Sequence, residues 1–390
     1  LPVITGLEST PENELVIVFC AKALAQRTYF NELGKFMGEA FVVMRPSPLK
    51  WPSLSDLLSP PEALLTDCMS YAIKDYRAER DGKSPGPIWM AMQRLIFRWH
   101  YACDRRTMRR LSPSLAVIWN GLKPRRYIFA EAARRDNIPC AFMEHGFLPN
   151  TTVCDGKGIH ERNSVPRDPA FFRNLPPAPA PEAAQLVARR VKTARQSSGR
   201  ELPKRYVFIP FQIDTDSKII LFSPWIQNMR HLFDELRALS DKFPQYQFVF
   251  KEHPSSHKTY GDLHSLLPAD RGFFANEYPT QTLIENAEAV ITISSTVGIE
   301  AMLYSKKVIV IGQAFYDLPG LTLSARSGPQ LEKALTQLEQ FTPDEQLRRN
   351  FLTYLKDDYL IPGNRQVKAD DAHYARIKAR LQSLRPTPRY

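Results

Sequence analysis

Short apolar runs alternate with longer amphipathic stretches through most of the chain. Near the start, 15–20 (LVIVFC) and 40–44 (AFVVM) read as buried strands flanking a helical stretch at 22–34. The proline-rich segment 45–60 reads as loop, and helical periodicity follows over 61–80 and 88–111. SLAVIWNG at 114–121 predicts a strand ending in Asn-Gly, and a helix at 125–136 leads into another strand, PCAFMEHG at 139–146. A second proline-rich segment, 165–182, reads as linker, and 183–199 as a polar helix. A new series of strands then begins: YVFIPF at 206–211, YQFVFK at 246–251, a weaker GFFA at 272–275, AVITIS at 289–294 and KVIVIG at 307–312. Helical patterns fall between them at 224–240, 280–287 and 296–304, and the tail 343–384 reads as helical.

Strand and helix in alternation predict parallel, doubly wound sheets. The two series predict two Rossmann-like domains, 1–164 and 206–342, joined by a crossover at 165–205 and followed by a helical tail, 343–390. By fold analogy, two such units facing a central cleft make the α/β architecture of a GT-B glycosyltransferase. A length of 390 residues accommodates this, and 43% hydrophobic with 24% charged residues is a soluble profile. No run of about 18 apolar residues occurs, and no signal-peptide pattern opens the chain. Cys20, Cys68, Cys103, Cys140 and Cys154 are odd in number and scattered, which suits reduced thiols in a cytoplasm.

The net charge of +11 directs attention to anionic partners. The densest basic stretch, 94–110 (RLIFRWHYACDRRTMRR), interleaves arginine with Phe97, Trp99 and Tyr101. Its simplest reading is a solvated helix with its aromatics packed inward; the same pattern fits docking on the anionic cytoplasmic face of an inner membrane. No nucleic-acid motif accompanies the charge, so nucleic acid is not an expected partner.

Several predicted strands end in dense polar clusters, where open α/β sheets place their chemistry. After 206–211 come Gln212, Asp214, Asp216, Ser217 and Lys218; Asp216 or Ser217 could equally cap the next helix. After 246–251 come Lys251, Glu252, His253 and Pro254, a cation and an imidazole at a strand exit that suit a phosphate. After 289–294, Ser294, Ser295 and Thr296 precede Gly298 and Glu300, a hydroxyl-rich turn opening a helix, which suits an anion and a ribose. In the first domain, Trp119-Asn120-Gly121 and Glu144-His145-Gly146 end two strands. No metal-ligand spacing and no Ser-His-Asp arrangement stand out.

Taken together and in order, WNG at 119–121, EHGFLP at 144–149 with Asp155-Gly156, Gln212-x-x-x-Asp216, Lys251-x-His253-Pro254 and SSTVGIEA at 294–301 resemble one family. It is the retaining β-Kdo transferases of bacterial surface polysaccharides, which includes the capsule enzymes KpsC and KpsS and the Kdo-transferase module of the O-antigen chain terminator WbbB. The match spans 115–312. The resemblance implies a GT-B fold, CMP-β-Kdo as donor, no metal requirement and a glycan or lipid-linked glycan as acceptor. It implies that His253 and residues 294–296 hold the CMP phosphate and Glu300 the ribose, and it aligns Asp216 with the family's nucleophile. Asp214 stays a rival, because residues two apart in an extended segment face the same way. Asn120 and Gly146 fall on the acceptor side. A double displacement would use Asp216 to attack C2 of Kdo and Glu144 to deprotonate the acceptor hydroxyl, with Lys218 or Lys251 meeting the Kdo carboxylate and His145 orienting Glu144 or touching sugar. The rival classes are a sugar-nucleotide epimerase, another CMP-sugar transferase of sialyl type, and a non-catalytic polysaccharide- or nucleic-acid-binding module.

Overall fold

The computed structural model describes residues 16–46, 51–52, 54–179, 200–365 and 369–385; the polar helix expected at 183–199 lies outside them. The chain divides into two compact units, 1–164 with 359–390, and 165–358.

The first unit runs β1 (Ile17–Cys20), α1 (Leu24–Met37), β2 (Phe41–Met44), α2 (Leu54–Leu58), α3 (Glu62–Glu79), α4 (Pro87–Leu111), β3 (Leu115–Trp119), α5 (Pro124–Arg135), β4 (Cys140–His145) and β5 (Thr151–Asp155). The apolar runs of β1 and β3 become wholly buried strands, as a sheet covered by helices requires. Ile17, Phe19, Leu115, Val117 and Trp119 form one face and pack with Tyr29, Phe30 and Leu33 of α1. The strands β1 to β4 are mutually parallel.

The second unit runs α6 (Pro169–Arg173), β6 (Tyr206–Pro210), α7 (Ser217–Phe222), α8 (Met229–Ser240), β7 (Gln247–Lys251), β8 (Gly272–Phe274), α9 (Thr280–Glu285), β9 (Ala289–Thr292), α10 (Val297–Leu303), β10 (Lys307–Val310), β11 (Leu323–Ser324), α11 (Gly328–Gln337) and α12 (Glu345–Tyr354). Its sheet is parallel throughout, in the order β11-β10-β9-β6-β7-β8. The order reverses between β6 and β9, which makes their carboxyl ends the topological switch point. Each unit is thus built on a Rossmann-like sheet.

The structure corrects the sequence reading in several places. The first sheet is not wholly parallel: β5 runs antiparallel to β4, and β12 (Ile361–Pro362) antiparallel to β5. The expected tail is not one body. Its helix α13 (Asp371–Ser383) sets Tyr374, Ile377 and Leu381 into the first unit's core. Helix α12 belongs to the second unit, where Asn350 Nδ2 donates to the carbonyls of Phe172 (2.8 Å) and Leu175 (3.1 Å). The segment read as loop at 45–60 contains α2, and the one read as linker at 165–182 contains α6, capped by Asp168. The helix expected from 224 starts at Met229 and is preceded by the short α7. All five cysteines are buried and none is in a disulfide. Among the described residues no helix is long and apolar enough to cross a membrane.

Candidate active site

At the switch point the exits of β6 and β9 are tied together. The buried Gln212 accepts the Ser294 N–H on its Oε1 at 3.3 Å. The chain then turns, with the Asp216 N–H donating to the Ile213 carbonyl at 2.8 Å. The segment is therefore not extended, and the two carboxylates that an extended strand would place side by side have different surroundings. Asp214 is buried: it accepts the Met229 N–H at 2.9 Å and the Tyr260 hydroxyl at 3.4 Å, and it pairs with Lys258 Nζ at 3.5 Å. Burial raises its pKa above the ordinary carboxylate value, against the opposing pull of these three partners. Asp216 is half-buried and caps α7, its Oδ1 accepting the Lys218 N–H at 2.9 Å. The capping role read from the sequence is thus filled by the same residue that the family resemblance marks for chemistry. Ser217 is buried at the start of α7 and Lys218 follows half-buried.

At the exit of β9, Ser295 Oγ accepts the Val297 N–H at 3.2 Å and Tyr316 donates its hydroxyl to the Ser295 carbonyl at 2.6 Å. The cap is Ser295, since the Thr296 side chain makes no capping bond. Ser294 Oγ is buried without a hydrogen-bond partner among the described residues, an uncommon state for a hydroxyl. Gly298 is required by packing, because a Cβ there would come within 2.6 Å of the Tyr316 hydroxyl. Glu300 lies half-buried in the first turn of α10.

At the exit of β7, His253 Nδ1 accepts the Ser255 N–H at 3.1 Å. In the neutral ring this puts the proton on Nε2. Pro254 is exposed beside it. Lys251, expected to meet an anion, instead donates to the carbonyls of Asn276 (2.9 Å) and Tyr278, holding the loop after β8. Its ammonium is occupied with backbone, which leaves Lys218 as the nearer candidate for a substrate carboxylate.

In the first unit the two strand-end motifs interlock. Glu144 accepts from Trp119 Nε1 at 3.2 Å, from Asn120 Nδ2 at 2.9 Å and from the His145 N–H at 3.0 Å. His145 orients Glu144 through its backbone, and its ring sits edge-on against Trp119, centroids 5.6 Å apart. Asn120 has φ +74°, a left-handed conformation that Asn tolerates better than most residues. Its Oδ1 also accepts the Leu122 N–H at 3.2 Å, so one amide fixes both the turn and the carboxylate. Gly146 admits no side chain: a Cβ would collide with Thr151 Oγ1 and lie 2.7 Å from the Thr151 carbonyl carbon. Asp155 is buried and accepts from Lys157, Gly158 and Ser164 and from the Tyr359 hydroxyl at 2.8 Å; it braces the fold.

Residues 183–366 match the family described as capsule polysaccharide biosynthesis protein. The matched segment is a little under half of the chain. Protein FixF of Sinorhizobium fredii is 36% identical over 250 residues, 64% of this chain and 61% of FixF. Capsule polysaccharide export protein KpsS of Escherichia coli is 26% identical over 286 residues, 57% of this chain and 72% of KpsS. The chain thus spans about three fifths of the length of FixF. Among solved structures, Thermosulfurimonas dismutans KpsC, beta Kdo 2,7 transferase, aligns over 94% of this chain and 99% of its own, with TM-score 0.45 and 14% identity. The family segment includes all three strand exits of the second unit and excludes Glu144 and Asn120.

Sequence reasoning missed Lys258, Tyr260 and Tyr316, the partners that immobilise Asp214 and Ser295. Each lies 21 or more residues from the group it holds, or 44 and 46 for the two on Asp214, and no spacing rule connects them. Among the described residues no cluster of three or more His, Cys, Asp or Glu could hold a metal ion.

Proposed function

We propose that this protein is a retaining β-Kdo transferase. It takes Kdo from CMP-β-Kdo and adds it to a glycan or lipid-linked glycan in capsule or O-antigen biosynthesis. The observation that carries the reading is the coincidence of the capsule-family segment with a switch-point site in which Gln212 is bonded to Ser294 and Asp216 caps the helix that follows. Relatedness to KpsS supports the polysaccharide context.

In this reading His253 Nε2–H and the 294–296 turn bind the CMP phosphate, with Glu300 toward the ribose. Asp216 attacks C2 of Kdo; the C2–O bond to phosphate breaks and CMP leaves with the electron pair. Asp216 is then esterified to Kdo with inverted configuration. In the second step the acceptor hydroxyl gives its proton to Glu144 and attacks C2, the bond to Asp216 breaks, and the second inversion restores the original configuration. Lys218 meets the Kdo carboxylate. Asp216 suits the nucleophile better than Asp214, because the lone pairs of Asp214 are engaged by Met229, Tyr260 and Lys258. No metal is required in this reading.

Intact-mass spectrometry of the Glu144→Gln variant with CMP-Kdo tests it. The expected result is a mass gain of one Kdo residue mapped to Asp216. An adduct on Asp214 would exchange the two roles, and full activity of Asp216→Asn with no adduct on any carboxylate would remove the double displacement.

A further inference from the structure

Eleven large apolar side chains are exposed among the described residues, and eight of them belong to two neighbouring elements of the first unit and the residue Trp51 before them. Trp51, Leu54, Leu58 and Ile88 are each 74–77% exposed, and Met92, Leu95, Ile96 and Trp99 continue the set. Monomeric surfaces scatter such residues; a concentration on one side needs a reason.

Helix α4 has two faces. Phe97, Tyr101, Asp104 and Met108 are buried against the unit. On the opposite face Ile88, Met92, Leu95 and Trp99 follow one another at helical spacing, and the same line continues into Arg106 and Arg110. Leu54 and Leu58, four residues apart, share one face of α2. The side chains join across the elements: Trp51 and Trp99 meet edge to face with centroids 5.6 Å apart, and Arg106 donates to the Trp51 carbonyl. The aromatics of this helix are therefore not all turned inward, as the simplest sequence reading had them.

The charge on α4 is one-sided. It carries six arginines and a single acid, Asp104, which is buried. Three arginines are neutralised by neighbours: Arg94 by Glu62, Arg105 by Asp136 at 2.6 Å, and Arg109 by Asp56. Arg98 and Arg106 donate to the carbonyls of Leu57 and Trp51, and Arg110 is exposed.

We propose that this face, formed by Trp51, α2 and the outer side of α4, docks on an anionic lipid bilayer. The helix lies in the interfacial plane, its leucines and tryptophans entering the headgroup boundary and Arg98, Arg106 and Arg110 meeting lipid phosphates. The surface is a convex apolar stripe passing into an unneutralised basic end, and a fluid anionic surface matches both without a shaped partner. The inference does not depend on the identity of the sugar donor.

The test is co-sedimentation of the full chain with phosphatidylglycerol-containing vesicles and with pure phosphatidylcholine vesicles, together with tryptophan emission. The wild type is expected to bind the anionic vesicles with a blue shift, less so as salt rises. Leu95→Gln with Trp99→Gln should weaken binding by about 10-fold or more, while Arg106→Gln with Arg110→Gln should remove the preference for anionic lipid. Leu266→Gln, an exposed apolar residue of the second unit, should change nothing. If CMP binds as proposed it raises the Tm of the wild type, and all variants should keep that rise, which separates this inference from the donor assignment. Absence of vesicle binding at low salt would overturn the proposal, as would binding indifferent to both double substitutions. A wild-type dimer by light scattering that the Leu95/Trp99 pair dissolves, without vesicle binding, would assign the face to a second copy and equally overturn it.

Discussion

The carboxylates after β4 and after β6 are held by different means. Glu144 is gripped by side chains of the neighbouring strand's exit, 24 and 25 residues away, and by one backbone N–H. Asp216 accepts the Lys218 N–H of the helix it caps, two residues on. Between these extremes lies Asp214, fixed by three partners from α8 and from the segment after β7. Local capping fixes a carboxylate within the turn that it opens. Long-range gripping consumes the oxygens when the group is buried, as at Asp214, and orients the group when it is half-open, as at Glu144. Two aspartates two residues apart thereby acquire opposite characters: one a structural anchor, the other a candidate reagent.

Asp216→Asn should give the largest effect. Asn caps helices as well as Asp, so the fold and the CMP thermal shift should persist, while transfer falls by about 10³-fold or more. A stable variant with retained transfer would break the contrast. Asp214→Ala should do the reverse, lowering stability by about 2 kcal/mol in a denaturant titration, because Lys258 and the Met229 N–H lose a buried partner. A variant at position 214 with wild-type stability and no turnover would exchange the two roles.

Asn120→Asp sharpens the comparison on the side of Glu144. It keeps the shape and the left-handed backbone but places a second carboxylate where an amide donates at 2.9 Å. The new carboxylate repels Glu144 instead of donating to it, so transfer should fall by about 10-fold or more while stability changes little. Unchanged transfer with lowered stability would reduce Asn120 to a structural role.

A separate effect is expected on acid stability. In the first unit burial, aided by Arg125, lowers the pKa of His100 to about 3. The unfolded chain takes up its proton near the ordinary value of about 6.5 and the folded protein does not, so stability falls as pH drops through that window toward 3. His100→Gln should flatten the slope of Tm against pH between those values. An unchanged slope would place the acid sensitivity elsewhere.

How much of this was legible in the chain follows the same division. Ile17–Cys20, Leu115–Trp119 and Tyr206–Pro210 are visible as strands because full burial on both faces imposes an unbroken apolar run. β5 and β12 were not visible: five residues and two residues carry no period, and their pairing of Ile361 with Thr152 spans more than two hundred positions. The outer stripe of α4 lay in plain view at helical spacing, but which side of that helix met the unit was decided by α2, α3 and α5 packing against it.

The sequence by itself determined two doubly wound units and the strand exits where polar residues gather, because both follow from local burial patterns and from helix capping. It left Asp216 and Ser217 open as the cap of the next helix, and the structure gives that place to Asp216 at the start of α7. Only the tertiary structure decided that Asp214 is buried against Lys258 and Tyr260, that Lys251 serves two backbone carbonyls, that Trp119 and Asn120 hold Glu144, and that the last helix closes the first unit. These are contacts between distant segments. Their energy depends on where the packed sheets bring the groups together, and no periodicity along the chain encodes that.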